Sequence, residues 1–267
     1  MTGNPILIFD FVTKLGDGCA GRVAIVGSHG GVYAGYRAAA AGLRGVILHD
    51  AGVGKDQAGI GALDYLDRLS VAAATVDGGT ASIGDGASVA AGKIGHVNQT
   101  ATACGCKPGQ SAMDCAHAMT AAPGLAGEPP PYQEARTILS AGVSEATIIA
   151  CDSVSLVVAE DVGAIVITAS HGELLRNDPS WGKRPDVLAA VFNDAGSDRA
   201  SRLPDLDSRG IAGATVAAAS ARIGDARSTY EDGIITHVNA RARALGGHQP
   251  GQTCKAFVER MKAAARP

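Results

Sequence analysis

Short unbroken apolar runs alternate along this chain with alanine-rich stretches of helical length. The runs fall at residues 6–9, 22–26, 45–49 and 71–76, and again at 147–150, 164–168, 189–193 and 211–216. Each is too short for a helix and is bounded by turn-forming residues. Continuous rather than alternating hydrophobicity marks strands buried on both faces. Between them, 33–43 and 57–69 have helical length and apolar spacing, and the second of these recurs as 199–208. Alternation of strand and helix predicts a mainly parallel sheet covered by helices.

The pattern occurs twice because the residues do. Asp10 to Gly30 lies over Asp152 to Gly172 without a gap, both blocks closing on Ser-His-Gly. The match continues with VILHDAG (46–52) against AVFNDAG (190–196) and VAAATV (71–76) against IAGATV (211–216). Shorter pairs follow in the same order: Ile83-Gly84-Asp85 with Ile223-Gly224-Asp225, His96-Val97-Asn98 with His237-Val238-Asn239, and Pro108-Gly109-Gln110 with Pro250-Gly251-Gln252. Blocks that keep one order point to an internal duplication. The expected fold is α/β: two homologous Rossmann-like βαβαβ halves with a mainly parallel sheet, related by a pseudo-twofold. The halves are expected at 1–121 and 146–267. The segment 122–145 between them reads as a linker, because Pro129-Pro130-Pro131 favours extended backbone, with a short helix over 133–141.

Composition narrows the partners. The 267 residues are 46% hydrophobic and 18% charged, a balance that supports a core and excludes disorder. A net charge of -3, no basic run and 4% aromatics argue against nucleic acid. No apolar run reaches the roughly 18 residues of a membrane-spanning helix, and the opening residues carry no secretory pattern. The expectation is a soluble, cytoplasmic protein acting on a small molecule, with no membrane partner. Alanine-rich helices also suit subunit packing, so a homo-oligomer is expected. Six scattered cysteines read as reduced thiols rather than a disulfide framework.

In a parallel sheet, ligands bind beyond the carboxyl ends of the strands. There the first half presents Asp10, then Ser28-His29-Gly30-Gly31, then His49-Asp50-Ala51-Gly52, then Asp85. The second presents Asp152, Ser170-His171-Gly172, Asn193-Asp194 and Asp225. A strand-end histidine beside a carboxylate suits proton transfer near neutral pH. His29 is therefore the candidate general base, Asp50 or Asp10 its orienting partner, Ser28 the nucleophile or hydroxyl donor, and His171 the matching imidazole. The amides of Gly30 and Gly31 would stabilise developing negative charge. Lys55, Asp85, His96, Asn98, Ser170 and Asp194 are candidate substrate contacts. A structural reading stands beside each role, since serine, aspartate and asparagine also cap helices and histidine also bonds backbone.

The leading expectation is a hydrolase of an amide or ester bond in a small polar metabolite. Two alternatives remain. A glycine-rich turn after a strand, with Asp50 at the end of the next, suits a nucleotide-dependent oxidoreductase, although Gly27-Ser28-His29-Gly30-Gly31 departs from the G-x-G-x-x-G fingerprint. A noncatalytic small-molecule-binding protein is the other. The order His29-Gly30 then Asp50-Ala51 is similar to the caspase-type cysteine peptidases, but Gly52 and Gly196 stand where those carry cysteine, so no peptidase activity follows. Cys104, Cys106, Cys115 and His117 form a C-x-C-x8-C-x-H series, a spacing unlike the usual zinc ligands. No metal or cofactor is assigned. By sequence, the second half places Gly246 and His248 opposite Cys104 and Cys106, and Phe257 and Glu259 opposite Cys115 and His117.

Overall fold

The structure, a computed structural model, describes residues 6–141, 146–174, 184–247 and 250–264. Leu175, His248 and the last four residues of the expected linker lie outside the described residues. The chain divides into two compact units, 1–53 with 57–133, and 54–56 with 134–267.

In the first unit β1 (Leu7–Phe9), β2 (Val23–His29), β3 (Gly45–His49) and β4 (Ala72–Val76) run parallel in that spatial order, and β5 (Ile94–Val97) joins β4 antiparallel. Every residue of β3 and β4 is buried, as their unbroken hydrophobicity requires. Successive side chains on a strand leave by opposite faces. Ala24 and Val26 thus pack toward α1 (Val32–Ala40) and α2 (Ala62–Asp67), while Val23 and Ile25 pack toward α3 (Gly86–Ala91), α4 (Gln99–Ala103) and α5 (Ala112–Met119). Small buried residues such as Ala34, Ala38 and Ala39 let α1 lie close on the sheet. That helix stops at Gly42, whose φ of 68° turns the chain so that its amide reaches Ala39 O at 2.8 Å.

The expected helix over 57–69 is shorter than its apolar spacing suggests. Asp56 and Gln57 take positive φ (51° and 58°), a 3-10 turn spans Lys55–Ile60, and regular helix begins only at Ala62. The loop is pressed against the strand end: a Cβ on Gly59 would stand 2.1 Å from Asp50 O. Tight packing against β3, not local propensity, sets where α2 starts.

The second unit follows the same order. β7 (Ile148–Cys151), β8 (Ile165–His171), β9 (Ala189–Asn193) and β10 (Ala212–Val216) are parallel, and β11 (Ile235–Val238) is antiparallel to β10. Its helices include α6 (Arg202–Ser208), α7 (Ala226–Asp232), α8 (Ala240–Ala244) and α9 (Cys254–Ala264).

One expectation is corrected here. Residues 133–141 do not form a helix; β6 (Arg136–Ser140) adds to β7 as an antiparallel sixth strand of this sheet. Thr137 pairs with Ala150 and Ile138 with Ile149, and exposure alternates along the strand. The free edge of β7 supplies partners for backbone groups that a short isolated helix would leave marginal. Arg136 locks the strand down through a 2.5 Å ion pair to buried Asp161.

Both units are thus α/β, with mainly parallel sheets of five and six strands interleaved with helices. Their strands follow sequential order, so neither sheet has the reversal of strand order at which an open sheet parts to receive a dinucleotide. Among the described residues no helix is long and apolar enough to cross a membrane.

Candidate functional site

Most of the residues singled out from sequence gather at the carboxyl ends of the parallel strands, where backbone occupies them; Asn98 instead sits at the amino end of β4, beside Val71 and Ala73. Asp10, just past β1, accepts from Gly86 N at the start of α3 (2.9 Å). Ser28 Oγ accepts from Val12 N at 3.1 Å. It does not cap α1, whose N-cap is Gly31 with no side-chain bond. His29 Nδ1 accepts from Gly31 N at 3.2 Å. Asp50 Oδ1 accepts from Gly52 N (2.9 Å) and Gly78 N (3.0 Å), pinning two loops together. Asp85 caps α3 by accepting from Ser88 N, 2.9 Å away. Buried Asn98 caps α4 through Ala101 N at 2.8 Å, while also accepting from Ala73 N at 3.0 Å and donating to Val71 O at 2.9 Å. His96 lies 3.5 Å from Thr75 Oγ1.

The second unit repeats this bond for bond. Asp152 accepts from Ala226 N (2.9 Å), Ser170 Oγ from Val154 N (2.9 Å) and His171 Nδ1 from Glu173 N (3.3 Å). Asp194 Oδ1 accepts from Gly196 N and Ala218 N (2.9 and 2.8 Å). Asp225 caps α7, Asn239 caps α8, and His237 meets Thr215 Oγ1 at 3.2 Å. Residue types shared by the two halves are therefore those that satisfy backbone groups where strands and helices meet loops, groups that burial would otherwise leave unpaired.

Several groups assigned a role have other partners in this geometry. Gly30 N is committed to His49 O at 2.7 Å and Gly31 N to the His29 ring, so neither amide faces an incoming oxyanion. No hydrogen bond joins His29 to Asp50, Asp10 or Ser28. Lys55 groups with the second unit and ion-pairs with Asp232 at 2.9 Å, which neutralises the charge assigned to substrate. Gly30 is instead a packing position: a Cβ there would stand 2.7 Å from Gly59 O and 2.8 Å from the Thr75 methyl.

His29 keeps one group in reserve. Its Nδ1 accepts a backbone N–H, which fixes the ring proton on Nε2. Among the described residues no hydrogen bond engages that Nε2. The half-buried ring is held down to about 4 by desolvation, with His49 adding to the effect. At neutral pH His29 is uncharged, and it offers a donor rather than a basic lone pair.

His49 is the residue that sequence reasoning passed over. It pairs with His29 across β2 and β3, is 3% exposed, and stands with Nδ1 4.0 Å from Asp50 Oδ1. Nδ1 accepts from Ala51 N (3.0 Å), and Nε2 meets Ala81 O at 3.2 Å. At the matching position Asn193 accepts from Ala195 N (2.8 Å) and donates to Ala221 O (3.0 Å). An imidazole and an amide thus fill one bonding role. The aligned His-Asp-Ala-Gly and Asn-Asp-Ala-Gly turns carried that signal, because only a side chain with one acceptor and one donor satisfies both.

The cysteine series does not form a metal centre: among the described residues no group of three or more His, Cys, Asp or Glu is placed to hold an ion. His117 is exposed on α5, while Cys115, two residues before it, is buried. No family model, curated protein or solved structure matches this chain.

Proposed function

We propose that the chain is a small-molecule-binding α/β protein whose first unit receives a polar ligand at the carboxyl ends of β2 and β3. The observation that carries this reading is His29: a neutral imidazole at a strand end, with Nδ1 taken by Gly31 N and an Nε2–H that no side chain or carbonyl among the described residues engages. Such a donor suits a carbonyl or carboxylate oxygen. Hydrolysis would need Ser28 beside a base and free amides at Gly30 and Gly31, whereas Ser28 is held by Val12 and both amides are spent. Binding without turnover therefore accounts for more of the geometry than acyl transfer does. The reading keeps the setting expected from sequence, a cytoplasmic homo-oligomer, which sedimentation equilibrium and fractionation test.

The deciding experiment screens small carboxylates, amides and esters by thermal shift and, in parallel, by product formation. A shift without product, lost in His29→Phe, is the expected result. Product formation that depends on both His29 and Ser28 would restore hydrolysis and end the binding-only reading.

A further inference from the structure

Three of the six cysteines meet behind one face of the first sheet, in the layer built from α4 and α5. Cys106 follows α4 and is 2% exposed; Cys115 lies within α5 and is fully buried. Cys106 Sγ donates to the Cys115 backbone carbonyl at 3.4 Å, which places it against the helix turn that carries the Cys115 thiol. Cys104, two residues earlier, is half-buried.

The second unit shows what this space holds when it holds no sulfur. Gly105 (φ 90°) and Gly246 (φ 81°) make the same turn after α4 and α8. Cys106 N then bonds to Ala101 O at 3.1 Å, and Gly247 N to Ala242 O at 2.9 Å. The counterpart of Cys106 is thus Gly247, one residue before the position that sequence alignment gives, and the counterpart of Cys115 is Phe257. A Cβ on Gly247 would stand 3.0 Å from Phe257 Cε2 and 3.1 Å from Cδ2. One phenyl ring fills the room that two thiols share in the first unit. Glycine and phenylalanine close the same layer, so packing alone does not call for a cysteine pair.

We propose that Cys106 and Cys115 are a redox-active dithiol that closes to an intramolecular disulfide on reaction with a peroxide. Burial of both sulfurs selects a small oxidant over a glutathione-sized disulfide. The Cys106 thiolate attacks one peroxide oxygen; the O–O bond breaks, Cys106 becomes a sulfenic acid, and hydroxide leaves to take up the proton that Cys106 gave. The Cys115 sulfur then attacks Cys106 Sγ; the S–O bond breaks, and the Cys115 proton leaves with the oxygen as water. Two thiols lose two electrons and two protons, and the peroxide becomes two waters. The division of labour follows the electrostatics of the pair: the neighbouring Cys115 thiol draws Cys106 below its ordinary value, while Cys115 is pushed up by Cys106 and by burial.

The test treats the intact chain with hydrogen peroxide, alkylates remaining thiols under denaturing conditions, and digests with trypsin and a protease that cuts before aspartate. Lys107 precedes proline and resists trypsin, while cleavage before Asp114 separates Cys104 and Cys106 from Cys115. The expected product is the two fragments joined, two hydrogens lighter and parted by reductant, formed before Cys19, Cys151 or Cys254 is lost. Cys104→Ser keeps the crosslink. Cys115→Ser abolishes it and leaves Cys106 trappable by dimedone. Cys106→Gly with Cys115→Phe, which transfers the second unit's pair, gives a folded chain without the reaction. Uniform oxidation of all thiols, absence of the joined fragments, or loss of the crosslink in Cys104→Ser would overturn the proposal.

Discussion

Acid exposes the state of His29 most directly. The folded protein holds this imidazole at about 4 against an ordinary value of 6.5, chiefly because the ring is desolvated and secondly because His49 faces it. Above pH 6.5 the ring is neutral in folded and unfolded chains alike, and His29 contributes no pH dependence. As pH falls below 6.5 the unfolded chain takes a proton that the folded one refuses, so stability is lost progressively until pH 4, where the folded ring protonates too. At about 1.36 kcal/mol per unit the loss reaches at most about 3 kcal/mol, less where water reaches the half-buried ring. His29→Asn retains an acceptor for Gly31 N and removes the titration. Urea unfolding of both proteins at half-unit steps from pH 8 to 4 should give curves that run together above pH 7 and separate below it, the variant becoming relatively more stable. The Cε1 proton of His29, followed by NMR, should move only near pH 4. Parallel curves throughout, or a ring that titrates near 6.5, would refute the desolvation argument and with it the neutral-donor role.

His49→Asn should fold with a cost under about 1.5 kcal/mol by urea unfolding, because Asn193 already fills that bonding role in the second unit; a loss of several kcal/mol would show that ring volume matters more than its two bonds. Asn98→Ala strips an acceptor from Ala73 N and Ala101 N and a donor from Val71 O, and should cost on the order of 3 kcal/mol, with faster amide exchange at both nitrogens. Asp50→Ala frees Gly52 N and Gly78 N and should cost about 2 kcal/mol, matched by Asp194→Ala in the other unit. Gly30→Ala forces a methyl against Gly59 O and Thr75 and should cost about 1–3 kcal/mol in thermal unfolding. Gly16→Ala, with nothing within 4 Å and extended backbone, is the neutral control.

Sequence carried the sheets well because β3, β4, β9 and β10 are buried on both faces, and short unbroken apolar runs bounded by turn residues have few other uses. It carried β6 poorly. Five residues of alternating exposure beside a proline run become a strand only because β7 offers an edge, a tertiary fact with no local trace. The strand-end cluster was legible as a place, while the backbone bonds that its side chains make were not. Asp50, Ser28 and Asn98 belong to the residue types of catalysis, and to those that satisfy backbone amides where strands end. Only coordinates reveal that Gly30 N already has His49 O. The thiol pair was legible as a spacing, but the adjacency of Cys106 and Cys115 depends on how the turn after α4 meets α5.

The sixth strand bears on where a gene could be divided. A second half expressed from residue 134 onward would bring its own cover strand, with Ala135 O still receiving Asp152 N and Arg136 still neutralising Asp161. One begun at residue 146, where the internal repeat suggests the cut, would lay bare the outer ladder of β7 and strand a carboxylate in the interior. Exposed ladders recruit one another, so the shorter fragment should precipitate where the longer one stays in solution.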